Sequence, residues 1–134
     1  MTEAELEAIR LKRNTGNPFA QHVGIETVRI GEGEADCVVD LRPEHLNLMG
    51  NVHGGVPLAL ADVATGAAAA GCGVNAVTSS GSYHFLRAVR GSSQLRAHAH
   101  VVKCGASLIV CDVELYDDAD ALVGKGTFEL FVLG

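Results

Sequence analysis

Asp62 is the only acidic residue between Glu44 and Asp112, and it sits in the most apolar stretch of the chain. An isolated carboxylate on an apolar helix is costly to keep ionised, so it needs a partner or a task. Just upstream, His53-Gly54-Gly55 places two residues without side chains at the start of the same helix. Backbone N–H groups there have no intrahelical partner. Those donors, backed by the positive end of the helix dipole, suit an oxyanion forming on a carbonyl, and glycine lets that carbonyl come close. The Asp62 carboxylate could share in such chemistry, and burial would raise its pKa. By helix rise it lies about 10–12 Å from the glycines, too far for both groups of one chain to act on one carbon. Cooperation therefore predicts that Asp62 faces the N–H donor of a second subunit. Taken singly, the glycines could serve a tight turn and Asp62 could be a structural carboxylate. Their coincidence on one helix favours chemistry.

Other chemistries find less support. There is no G-x-S-x-G elbow, no P-loop, no G-x-G-x-x-G and no H-E-x-x-H. His98 and His100 share a strand face without a third clustered ligand, so they read as a solvent-facing pair and no metal is expected. From Val63 to Cys111 the chain has no acid, yet it carries Arg87, Arg90, Arg96 and Lys103. Such a basic segment at strand ends and turns could attract phosphate groups. A charged, solvated strand edge would look the same.

The positioning elements follow from periodicity and breakers. Residues 3–13 predict a short amphipathic helix, with Thr2 and Glu5 as a capping box, interrupted by Asn14 to Pro18. Residues 24–31 and 34–42 predict strands joined by the Gly31-Glu32-Gly33 hairpin turn. In the second, Ala35, Cys37, Val39 and Leu41 share one face. One long helix spans 54–70, with Pro57 in its first turn and Gly71 and Gly73 as terminators. Strands follow at 75–86, 93–103, 107–116 and 121–133, and their short turns imply an antiparallel sheet. The long helix is apolar nearly all round and must be buried on most sides. This is an α+β chain: an antiparallel sheet wrapped around one long central helix, with a short N-terminal helix.

The 134 residues make one domain, 1–134, with 1–16 as a helical extension. Hydrophobic residues are 48%, charged residues 19%, and Trp is absent, so a small Val/Leu/Ala/Gly core leaves apolar surface that favours self-association. A net charge of −6 without a basic tail argues against nucleic-acid binding. The acidic N-terminus resembles neither a signal peptide nor a mitochondrial presequence, and Val63–Ala70 is too short to cross a bilayer. No membrane association and a cytoplasmic location are expected. Cys37, Cys72, Cys104 and Cys111 lack C-x-x-C spacing and read as free thiols, with a Cys104–Cys111 pairing across a hairpin as the alternative.

The pattern Asn47-x-x-Gly50-x-x-His53-Gly54-Gly55-x-x-x-x-Leu60-x-Asp62-x-Ala64-x-Gly66 resembles the hotdog-fold acyl-CoA thioesterases of the PaaI-like, phenylacetate-pathway subgroup. Asn17-Pro18-Phe19 with His22-Val23-Gly24, Phe85-Leu86-Arg87-Ala88 and Gly124-x-Gly126-Thr127-Phe128 extend the likeness over nearly the whole chain. The resemblance implies dimers whose sheets join, often paired into tetramers, with active sites between subunits. It implies hydrolysis of an acyl or aryl-acyl thioester to free acid and coenzyme A, with coenzyme A as part of the substrate and no other cofactor. Asp62 would be nucleophile or general base. The Gly54 N–H of the partner would polarise the thioester carbonyl. Asn47 and His53 would orient the thioester or its loop, and Thr78 would help place the water. Gly55, Arg87, Arg90, Lys103 and Ser107 are the candidate substrate and coenzyme A contacts. Ala88 and Ala106 depart from the family's usual Pro and basic residue. The polar run Ser79–Ser82 with His84 suggests a polar or hydroxylated acyl group. The rivals are an acyl-CoA binding or sensor module without turnover and a hotdog dehydratase or hydratase, for which His53 would have to partner an acid.

Overall fold

The computed structural model describes residues 1–134. Helix α1, Glu3–Gly16, opens where the Thr2 hydroxyl accepts the Glu5 N–H at 3.1 Å. It runs past the predicted break to Gly16. A second helix, α2 (Pro18–Val23), which the sequence reading did not assign, starts at once. Asn17 Oδ1 caps it by accepting the Ala20 N–H at 3.2 Å, Pro18 fills its first position, and Gly24 at φ +91° ends it.

Strands β1 (Ile25–Gly31) and β2 (Glu34–Asp40) form the predicted hairpin, and Ala35, Cys37 and Val39 turn inward together. A single helical turn, Pro43–His45, leads through a loop into α3, Gly55–Ala70. Strands β3 (Ala76–Phe85), β4 (Gln94–Cys104), β5 (Leu108–Tyr116) and β6 (Leu122–Val132) complete one antiparallel sheet in the order β1-β2-β4-β5-β6-β3. Short turns do not make β3 and β4 neighbours, as the sequence reading implied. After Phe85 the chain runs beside the start of α3, where the Val89 carbonyl accepts the Val52 N–H at 2.9 Å, and β3 instead pairs with β6 at the far edge.

The sheet curls around α3 because the inward helix face is built from small side chains. Leu60, Ala61, Ala64, Ala67 and Ala68 are fully buried against Val39, Leu95, Ile109, Val113, Leu115 and Leu130. The helix is not enclosed on all sides, however. Leu58 and Asp62 are exposed, and Ala59, Val63, Gly66 and Ala70 are half covered. Edge strand β3 is equally open, with only Ala76 and Tyr83 partly covered along its length. Cys104 pairs with Ile109 and Cys111 with Val101, so those two cysteines do not face each other across the β4–β5 hairpin, and all four thiols are free. No helix is long and apolar enough to cross a membrane.

Candidate active site

The loop before α3 is held from several directions. His45 is buried, its Nε2 lies 2.7 Å from the Val23 carbonyl, and its Nδ1 accepts the Arg42 N–H at 3.1 Å. Asn47 Oδ1 accepts from the N–H groups of Met49 and Asn51, at 2.9 and 3.2 Å. Arg90 Nη1 donates to the Met49 carbonyl at 3.1 Å. Arg90 is thus engaged in bracing the loop. The Asn47 amide nitrogen has no partner within the chain.

At the helix start, His53 Nδ1 accepts the Gly55 N–H at 2.9 Å. An accepting Nδ1 leaves the ring proton on Nε2, so this imidazole is neutral in that geometry. The arrangement corrects one expectation. Gly55 was to contact the ligand, but its N–H is already taken by His53. The Gly54 N–H has no partner in the chain, and Phe85 lies close above it, where a Cβ on Gly54 would meet Phe85 Cε1 at 3.2 Å. Asn47, Gly54, Tyr83, Phe85 and Arg87 line one cavity of about 320 Å³. Tyr83 and Phe85 pack edge to face at 4.7 Å, and burial pushes the Tyr83 hydroxyl up to about 12. The sequence reading missed this aromatic wall. Its signal was the two-residue spacing that puts both rings on one strand face.

Asp62 belongs to a separate cluster. Thr78 Oγ1 donates to Asp62 Oδ1 at 2.7 Å, joining mid-α3 to the start of β3. Neither residue lines the Gly54 cavity. The expected burial of Asp62 is absent, because its carboxylate is exposed in the single chain.

The remaining candidates split between the two ends of the sheet. Arg87 and Arg90 follow the end of β3, and Arg87 has no acidic partner. Lys103 and Ser107 sit at the β4–β5 turn, where the Ser107 carbonyl accepts the Val132 N–H at 2.8 Å beside the beginning of β3. Ten strand residues separate the pairs, about 30 Å. One chain therefore does not gather these four residues at one place. Arg96 is paired with Asp120 and stacks over Tyr116. His98 Nδ1 lies 2.7 Å from Asp36 on the outer sheet face, and no group of three His, Cys, Asp or Glu side chains is arranged to hold a metal.

The thioesterase superfamily profile matches residues 49–123. A Schizosaccharomyces pombe protein whose provisional name is esterase is 31% identical over 122 residues, spanning 87% of this chain and 75% of its own length. The Escherichia coli PaaI protein of the phenylacetic acid degradation operon superposes with a TM-score of 0.90 at 25% identity, covering 99% of this chain and 97% of that one. A hypothetical thioesterase of Streptococcus pneumoniae, solved with coenzyme A, gives a TM-score of 0.77 at 28% identity over 82% of this chain and 89% of its own. That protein has also been solved with alanine replacing an aspartate and, separately, a threonine sixteen residues further on. The chain belongs to the thioesterase superfamily. Within it, the chain is a hotdog protein of the PaaI-like kind.

Proposed function

We propose that the protein is an acyl-CoA thioesterase whose catalytic groups meet across a subunit interface. The observation that carries this reading is the Thr78–Asp62 pair, a carboxylate held on the one α3 stripe that its own chain leaves open. The sixteen-residue separation of the pair equals that of the two substituted positions in the S. pneumoniae relative. The coenzyme A bound by that relative supports the carrier.

A second copy, paired along the open edge of β3, brings its own helix start toward Asp62. The unpaired Gly54 N–H then receives the thioester oxygen, with His53 holding the adjacent backbone in place. Asp62 removes a proton from water, and the oxygen adds to the carbonyl carbon while negative charge collects opposite Gly54. Collapse of that intermediate expels the coenzyme A sulfur, which takes up the proton. The free amide of Asn47 and the unpaired Arg87 lie where they can orient the thioester and a phosphate. A hydratase would need His53 to partner an acid, whereas its Nδ1 is engaged with the Gly55 N–H and no acidic side chain bonds its ring.

The test is release of free thiol from aryl, short-chain and long-chain acyl-CoA thioesters. Asp62→Asn should lower kcat by about 10²–10⁴-fold. Because Asp62 is exposed in the chain, Tm should change little. Full turnover by Asp62→Asn would overturn the mechanism. Binding of the thioesters without turnover by the wild type would make the protein a binding module.

A further inference from the structure

Arg13 is the one cation of the chain that is both largely out of water and without a partner. It makes no hydrogen bond or ion pair, and its Nε is buried with nothing to donate to. Its guanidinium projects from α1 onto α3, where a Cβ on Gly66 would meet Nη2 at 3.0 Å. The only carboxylate whose charge reaches it is Asp62, one turn earlier on the same stripe. A guanidinium whose Nε has lost water without gaining an acceptor is unfavourable, so the site is incomplete as the chain builds it.

The space beside it has the matching character. Between α1 and the end of α3 lies a cavity of about 470 Å³, the walls of which include Lys12, Arg13, Asn17, Asn75, Ala70 and Gly73. No acidic side chain lines it, although the chain as a whole carries a net charge of −6. Asp62, Gly66 and Ala70 follow one another at helical spacing on α3, and Ala70 forms part of the cavity wall, so small residues continue the stripe from Asp62 toward the cavity.

We infer that Arg13 receives the terminal carboxylate of the substrate's acyl group, making a short ω-carboxyacyl thioester the preferred substrate. This rests on the thioesterase reading above. Gly66, against which the Arg13 guanidinium lies, is one helical turn, about 6 Å, from Asp62, which fits an acyl chain of about four to six carbons with its thioester at Asp62. A coenzyme A phosphate is too distant along the substrate to reach Arg13 from the same thioester. A planar guanidinium pairs with a carboxylate through two parallel N–H donors, and Lys12 and the Asn17 and Asn75 amides can supply the rest.

The test compares glutaryl-CoA with its neutral ω-methyl ester by kcat/KM, alongside calorimetric binding of glutarate and the neutral pentanamide to the wild-type protein. The wild type should favour glutaryl-CoA by about tenfold or more, and should bind glutarate but not pentanamide. In Arg13→Met that ratio should fall toward one and glutarate binding should disappear, and Arg13→Lys should retain part of both. A wild-type ratio near one with brisk turnover of both thioesters would overturn the inference and leave the thioesterase standing. An equal loss on both substrates in Arg13→Met would overturn it in favour of a brace for Asp62. If no thioester is cleaved, the thioesterase reading fails, and glutarate binding decides alone whether the anion site exists.

Discussion

The Thr78 hydroxyl donates to Asp62 Oδ1 at 2.7 Å and is the only hydrogen-bond partner of that carboxylate within the chain. One oxygen is thereby committed and the other is left free to receive a proton. Removing the donor should let the carboxylate rotate and cost the charge-assisted bond. Thr78→Val is expected to lower kcat for thiol release by about 10–100-fold, in line with hydrogen bonds to charged groups. Thr78→Ser, which keeps the donor, should stay near wild type. Wild-type kcat in Thr78→Val would show that the contact is structural only.

The separation of Gly54 from the Thr78–Asp62 pair predicts complementation between two inactive variants. Gly54 sits at φ −56°, a value proline adopts, so Gly54→Pro removes the N–H, with the Phe85 ring yielding a few tenths of an ångström to the new Cβ. Neither Gly54→Pro nor Asp62→Asn homodimers should turn over substrate. Refolding the two together creates heterodimers with one site carrying both lesions and one carrying none. Random pairing then restores about a quarter of wild-type activity. No recovery on mixing, with heterodimers demonstrated, would place the working Gly54 and Asp62 in the same chain.

Much of this arrangement was legible in residues whose chemistry is local. The acid-free run around Asp62, the glycine pair and Pro57 located α3 and its reactive start, because helix termini announce themselves in sequence. Alternation in residues 34–42 placed Ala35, Cys37 and Val39 on the inward face of β2. What depended on distant contacts was not legible. The move of β3 to the far edge follows from packing across α3, not from the length of the turn after it. His53 taking the Gly55 N–H depends on one rotamer. Arg13 looked like an ordinary charge on an amphipathic helix, and only the small side-chain-free surface at Gly66 draws it inward.

Gly71 marks where α3 must pass close to the β1–β2 hairpin. A Cβ there would collide with the Gly31 carbonyl oxygen and lie 3.2 Å from the Gly33 nitrogen, both backbone atoms that cannot swing aside. Gly71→Ala should therefore destabilise the fold by about 1–3 kcal/mol, lowering Tm by several degrees. Gly16→Ala is the control, since a Cβ at that position meets nothing within 4 Å. Thermal melts of the two variants check this, and an unchanged Tm for Gly71→Ala would mean that the hairpin yields easily.

Alkaline stability should be limited by buried thiols. Burial pushes Cys37 up to about 11, with the Thr27 hydroxyl at 3.3 Å pulling the other way, and pushes Cys111 up to about 12. An ordinary thiol in the unfolded chain ionises near 9.0, so the unfolded state loses these protons first as pH rises. The stabilisation is therefore complete below pH 9 and is lost as pH climbs through the folded values. For Cys37 alone the loss is about 1.4 kcal/mol by pH 10 and roughly twice that well above pH 11. Urea unfolding at pH 8 and pH 10 should show this fall in the wild type. Cys37→Ala will start less stable because it leaves a cavity, yet it should lose about 1.4 kcal/mol less over the same interval. Equal pH slopes in the two proteins would mean that the Cys37 thiol ionises as readily in the folded chain as in the unfolded one.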